Sequence, residues 1–337
     1  MVNPRWFQML GRAVELGRAA PAEIRRWYPR ATTSVCDVLR VAAAVSGCAI
    51  ALAAVPTAAA ASPPGVQTLS VGGIRLAYRV SGSGLPLLLI NGSGATLDTW
   101  DPLLLSGLSV GRRVIVFDPR GMGASTDTKT DRLTVEDMAD DAAALLRVLR
   151  IKRADVLGWS LGGFVAQALA IRHPLSVRRL VLASTSAGGR TATTATSKVQ
   201  AIDDKTTLGL ATPNEFLPIL FPPAAQDAGN AWISRLLAQP GGCCEPFSQQ
   251  AGRRQIQAEH RWYRPNGGSY SQLGDIKART LIAAGALDMD IPVANARLLH
   301  RKIPGSKLRV YKDAGHAFLI QHATEFAAAV LRFLRQP

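Results

Sequence analysis

The stretch Val156-Leu157-Gly158-Trp159-Ser160-Leu161-Gly162-Gly163 decides how this chain is read. It holds the pattern Gly-x-Ser-x-Gly, directly after an apolar run (154–159) and directly before a helical pattern (161–172). A strand that turns sharply into a helix holds the serine between them in a strained conformation and lifts its hydroxyl off the sheet edge. Side chains two residues to either side would collide, so Gly158 and Gly162 are needed, and Gly163 lets the helix pack closely. The first amides of the helix converge on the same point and favour an anion there. The plainer alternative is a serine in a glycine-rich turn.

Outward from this segment, short apolar runs recur between turn residues: 86–90, 113–118, 178–184, 279–285 and 308–315. Runs that are apolar throughout suit strands covered on both faces, as in a parallel sheet. Residues 67–80 read as a hairpin around Gly72-Gly73. Helical patterns lie between the runs. Over 134–150, Thr134 caps, Asp137 occupies the capping-box position, and Val135, Met138, Ala142, Leu145, Leu146 and Leu149 form an apolar stripe. Further helices are predicted over 292–302 and, as one element with Phe318, Phe326, Val330 and Phe333 inward, over 318–335. The alternation predicts an α/β fold with a mostly parallel central sheet flanked by helices. Its core spans 63–185 and 273–337, and 186–272 reads as a mostly helical insertion forming a lid.

A serine hydroxyl is a weak nucleophile and needs a base. Of the five histidines, His316 lies in a loop just past the last strand and before the last helix, at the carboxyl edge of the sheet. His173, His300 and His322 read better as surface or capping residues, and His260, in the insertion, is the runner-up. An imidazole base needs an acceptor to orient it. Asp288 is the first acid past the 279–285 run, and Asp290 is the alternative; either could instead cap the helix before Pro292.

The order Ser160, Asp288, His316 resembles that of the α/β-hydrolase fold family, in its lid-bearing serine esterase-like branch. Residues 118–125 (Asp-Pro-Arg-Gly-Met-Gly-Ala-Ser) look like that family's turn after its fourth strand, and Gly285-x-x-Asp288 and Gly315-His316 match its acid and base segments. The family usually carries His-Gly after its third strand; here the text is Asn91-Gly92-Ser93. The resemblance implies an oxyanion hole made by the backbone N–H groups of Ser93 and Leu161.

It implies acyl transfer from a small-molecule carboxylic ester, lactone or thioester, with no cofactor and no metal. Amide, C–C and perhydrolysis chemistry are alternatives, and a catalytically idle binding protein on the same fold is the non-enzyme reading. Aspartate-dependent relatives are excluded by the serine at the turn. Trp and Phe residues of the insertion point either to an apolar substrate pocket or to packing against the body.

With 39 Lys+Arg against 24 Asp+Glu the formal net charge is +15. No basic run with interleaved aromatics follows residue 62, so nucleic acid is not an expected partner. Residues 1–62 stand apart. Seven arginines precede residue 41, and 41–61 carry no charge, as in a signal peptide or an uncleaved membrane anchor. A lipoprotein with Cys48 at the modification site is a further alternative. A secreted or cell-envelope location is expected. Cys243 and Cys244 are adjacent and form no disulfide framework, and no Cys or His pair has metal-ligand spacing.

Overall fold

The computed structural model describes residues 65–128, 132–239 and 248–336. The leader with its apolar stretch 41–61 and Cys48, and the Cys243-Cys244 pair, lie outside the described residues.

The eight apolar or alternating runs form one sheet: β1 (Gln67–Val71), β2 (Ile74–Ser81), β3 (Leu85–Ile90), β4 (Arg112–Phe117), β5 (Ala154–Trp159), β6 (Val177–Ala183), β7 (Arg279–Gly285) and β8 (Lys307–Tyr311). Their order is β1-β2-β4-β3-β5-β6-β7-β8. β1 and β2 form the expected hairpin, β2 pairs antiparallel with β4, and all other pairs are parallel.

The period of two explains why the parallel strands are apolar throughout. Leu88, Ile90, Val156, Leu180 and Leu182 face a layer containing α2 (Val135–Val148), α3 (Leu161–Arg172) and α8 (Ala294–Lys302). Leu87, Leu89, Leu157 and Val181 face the opposite layer, with α1 (Pro102–Leu108) and α10 (Ala323–Arg335). Each such buried Leu or Val side chain contributes about 1.5–3 kcal/mol relative to exposure. The charge inside β5, Asp155, is tolerated because Arg112 Nη1 (2.7 Å) and Arg178 Nε (2.8 Å) donate to its carboxylate.

The N-terminus of α2 is the predicted capping box. Asp137 N–H donates to Thr134 Oγ1 (3.1 Å), and Thr134 N–H donates to Asp137 Oδ2 (2.9 Å). The last helix differs from its expected form. It is broken at His322 into α9 (Phe318–Gln321) and α10, and the His322 ring stacks on Tyr311 at 5.2 Å.

Between β6 and β7 the chain forms α4 (Ser197–Thr207), α5 (Pro213–Leu220), α6 (Gln226–Leu237) and α7 (Gln249–Trp262). Their large apolar residues mostly pack inward. Phe216, Leu217, Phe221, Trp232 and Leu236 join the α1/α10 layer, and Trp262 stacks on Phe164 at 5.2 Å. Among the described residues no helix is long and apolar enough to cross a membrane.

Strand order reverses direction around β3, which lies between β4 and β5. Crevices outside the carboxyl ends of strands at such a switch point are where open α/β sheets hold ligands. Ile90 and Gly158 are partners in register, so the loop after β3 and the turn after β5 emerge side by side.

Candidate active site

Ser160 is one of three non-glycine residues with positive φ among the described residues (φ 57°, ψ −125°), a conformation that costs roughly 1–3 kcal/mol. The surroundings over-determine it. Its N–H donates to Ala183 O (3.0 Å); its carbonyl accepts from Gly163 N–H (2.8 Å) and from Thr185 Oγ1 (2.9 Å). The flanking glycines are required by close approach. A Cβ on Gly158 would lie 2.2 Å from Gly162 O, and one on Gly162 would lie 2.0 Å from Ile90 O. With its backbone so tied, Ser160 is nine-tenths buried, and its hydroxyl makes no hydrogen bond to a described residue.

His316 is carried on the loop after β8 and is almost fully buried. Trp159, next to the serine, fixes that loop. Its Nε1–H donates to His316 O (3.2 Å), and the two rings lie 5.7 Å apart. His316 Nδ1 lies 3.0 Å and 3.2 Å from the two carboxylate oxygens of Asp288. Asp288 Oδ1 also accepts from the N–H groups of Asp290 (3.0 Å) and Ile291 (2.8 Å). The other nitrogen, Nε2, is 3.5 Å from Asp290 Oδ2, and Asp290 lines the same cavity as Ser160. Of the two candidate acids, Asp288 is therefore placed to orient the imidazole. Asp290 sits on the side that a base must keep open.

The loop after β3 is held from three directions. Asn91 Nδ2 donates to Thr96 O (3.0 Å) and Thr99 Oγ1 (2.7 Å), so this residue ties the loop internally. Asp118 Oδ1 accepts from Leu97 N–H (2.7 Å), and Oδ2 from Ala124 N–H (2.9 Å), so the turn at 118–125 anchors the same loop. From α7, Gln255 Oε1 accepts from Gly94 N–H (2.8 Å), and Glu259 Oε1 accepts from Ser93 Oγ (2.6 Å). The N–H groups of Ser93 and Leu161 donate to no described residue.

Electrostatics at this site are unusual. Burial pushes Asp203 well above the ordinary carboxylate range, and Asp290, Glu259 and Asp204 add to the rise. Burial likewise raises Glu259 to about 8 against the opposing Ser93 hydrogen bond, and it raises Asp290. Burial alone would depress His316, but Asp288, Asp290 and Glu259 outweigh it and hold the imidazole at about 9. Among the described residues no group of three His, Cys, Asp or Glu side chains is arranged to hold a metal ion.

A sequence profile of the alpha/beta hydrolase fold matches residues 86–323. The chain belongs to the alpha/beta hydrolase fold family. Within it, the chain is 30% identical over 281 residues to a 2-hydroxymuconate semialdehyde hydrolase of Pseudomonas sp. (strain CF600), covering 82% of this chain and 95% of the relative. It is 31% identical over 255 residues to a poly(3-hydroxyalkanoate) depolymerase of Ectopseudomonas oleovorans, covering 74% and 84%. An alpha/beta hydrolase fold protein from Chitinophaga pinensis superposes with a TM-score of 0.72 at 29% identity, covering 82% of this chain and 98% of that one.

Asp288 and His316, 28 positions apart, meet, and Ser160 with Gly158 and Gly162 forms the expected turn. The other histidines stand elsewhere. His173 pairs with Asp140, His300 with Ser306 and His322 with Asp313, whereas His260 borders the cavity beside Asp204. The acids at 203, 259 and 290 were not legible as a group, because they come from α4, α7 and the loop after β7 with no common spacing.

Proposed function

We propose that this alpha/beta hydrolase fold protein is a serine hydrolase that cleaves a carboxylic ester, or a lactone or thioester, of a small molecule through an acyl-enzyme. The observation that carries the reading is the Asp288–His316 pair, whose other nitrogen, Nε2, faces Asp290 in the lining of the cavity that Ser160 borders. His316 Nε2 takes the Ser160 proton as Oγ attacks the carbonyl carbon. The N–H groups of Ser93 and Leu161 hold the tetrahedral oxyanion. Its collapse expels the alcohol, which receives the proton from His316. Water, deprotonated by the same nitrogen, then releases the acid. Asp288 keeps the imidazole in the tautomer that accepts at Nε2 and stabilises its charged form. The Ser160 hydroxyl closes onto His316 when substrate orders the site, since catalytic hydrogen bonds commonly tighten only in the complex. The insertion acts as a lid, which its contacts with Ser93 and Gly94 support.

The test is turnover of 4-nitrophenyl butanoate by wild type and Ser160→Ala. The proposal expects a loss of roughly 10⁴–10⁶-fold; equal rates would leave the idle-binder reading. A second reading, action on a semialdehyde, is favoured by the identity to the Pseudomonas relative. Its test is loss of the absorbance of 2-hydroxymuconate semialdehyde. Residues 1–62 we propose to be an export leader or anchor; the first residue of the mature protein distinguishes the two.

A further inference from the structure

We infer that the cavity beside Ser160 binds a cationic group, so that the substrate is an ester bearing a small ammonium; this rests on the serine-hydrolase reading above. Around Ser160 the cavity is bordered by Asp203, Asp204, Glu259, His260 and Asp290, and no Lys or Arg lines it. That is notable in a chain with 39 Lys+Arg and a net charge of +15. The cationic groups that these acids face are two histidines, fewer than the acids themselves. Asp204 faces only His260 at 3.5 Å, Glu259 accepts only from the neutral Ser93 hydroxyl, and Asp290 faces His316 at 3.5 Å. Asp203 has no hydrogen-bond or cationic partner among the described residues. A second feature points to a ligand at the same place: Ser160, a residue 9% exposed, borders the cavity, and its hydroxyl has no partner among the described residues.

Acids that outnumber the cations beside them resist ionising when water is excluded; burial raises Asp203, Glu259 and Asp290, and His316 offsets only part of the rise in the last two. A metal ion does not supply the balancing charge, because among the described residues no three ligating side chains converge on one point. Acids spread around a cavity suit an organic cation with several N–H donors, and an ammonium offers three. The space open to water-sized molecules is about 30 Å³, room for about two waters at ~10–15 Å³ each. That favours a compact primary ammonium over a bulky quaternary one.

The experiment compares kcat/KM for 4-nitrophenyl 3-aminopropanoate and 4-nitrophenyl butanoate near neutral pH, each divided by its rate of hydroxide hydrolysis. The two acyl groups differ only by NH₃⁺ for CH₃. The inference expects the aminopropanoate to be favoured by at least about tenfold, the scale of one charge-assisted hydrogen bond. Asp203→Asn, and separately Glu259→Gln, should each lower that ratio several-fold, and a ratio of two substrates on one variant cancels any loss of folded enzyme. n-Butylammonium should inhibit butanoate turnover more tightly than pentanoate ion does. A wild-type ratio near one, a ratio unchanged in both variants, or tighter inhibition by pentanoate overturns the inference while leaving the serine-hydrolase reading intact. If neither ester is turned over, both fall.

Discussion

Replacing Asp288 by Asn alters one proton's position and little else. The carboxylate does two jobs: both oxygens face His316 Nδ1, at 3.0 and 3.2 Å, and Oδ1 also receives the amides of Asp290 and Ile291. An Asn side chain is best placed with its carbonyl oxygen on those two amides, which turns its NH₂ toward Nδ1. Nδ1 must then accept, so the imidazole proton moves to Nε2, the nitrogen that has to take the Ser160 proton. The wrong tautomer lowers kcat by about 10⁴-fold where the same exchange is made in other serine triads. Removing the charge also takes away the foremost influence raising His316, so the acid limb of the pH–rate profile moves down from about 9. The assay is kcat/KM for 4-nitrophenyl butanoate across pH, with thermal unfolding to show that the variant is folded. Asp290→Asn is the matched comparison, since Asp290 Oδ2 lies 3.5 Å from Nε2 instead. It should lower the limb but lose far less activity. An Asp288→Asn enzyme within tenfold of wild type, or an Asp290→Asn enzyme as crippled as Asp288→Asn is expected to be, would refute the assignment of the acid.

Wild-type kcat/KM on the neutral ester should rise with pH and level off near 9, well above the 6.5 of an ordinary histidine, because His316 acts only when neutral; a plateau reached by pH 7 would count against the acids around it. The same shift carries a stability sign. The folded value is raised, so His316 stabilises the fold fully below about 6.5, and that contribution fades as pH rises through about 9. Thermal unfolding of His316→Ala against wild type should show their gap narrowing over that window. Gly162→Ala should abolish activity and lower Tm, since its Cβ would sit 2.0 Å from Ile90 O and 2.5 Å from Asn91 O, both backbone atoms that cannot turn aside; an active, folded variant contradicts the tight turn. Asp155→Asn leaves Arg112, 4% exposed, without its countercharge and should cost about 3–5 kcal/mol in urea unfolding with little change in KM.

Legibility in the sequence followed the range of the interactions. β5 and β7 have the boundaries that their unbroken apolar runs imply, because burial on both faces leaves its mark on every residue. The Ser160 turn was legible because its constraint is local: two glycines, one serine, a strand and a helix within a dozen positions. His316 could be placed by topology, just past a strand at the carboxyl edge, and the acid narrowed to Asp288 or Asp290; the contacts with Nδ1 and Nε2 separate the two. What could not be read depends on tertiary contacts. Helix α1 begins at Asp101-Pro102, a cap with proline at the first position, but at seven residues it is too short to show a period. The break at His322 follows from the ring's contacts with Tyr311 and Asp313, not from a helix-breaking residue. In the sequence, the Trp and Phe residues of 186–272 are compatible with a pocket or with packing. The structure packs Trp232 and Trp262 inward and gives the cavity beside Ser160 a lining rich in acids. Nothing in the local text around 203, 259 or 290 forecasts that meeting, since each acid sits in a segment that reads as an ordinary helix or loop.

The central claim is that Ser160 carries an activated hydroxyl, and reaction with a fluorophosphonate probe tests it most directly. Intact mass followed by peptide mapping should find one phosphonyl group per chain, on the peptide containing Ser160. Its rate should fall in step with esterase activity in Asp288→Asn and vanish in Ser160→Ala. A folded wild-type protein that takes up no probe, or takes it up at another residue, would contradict the account.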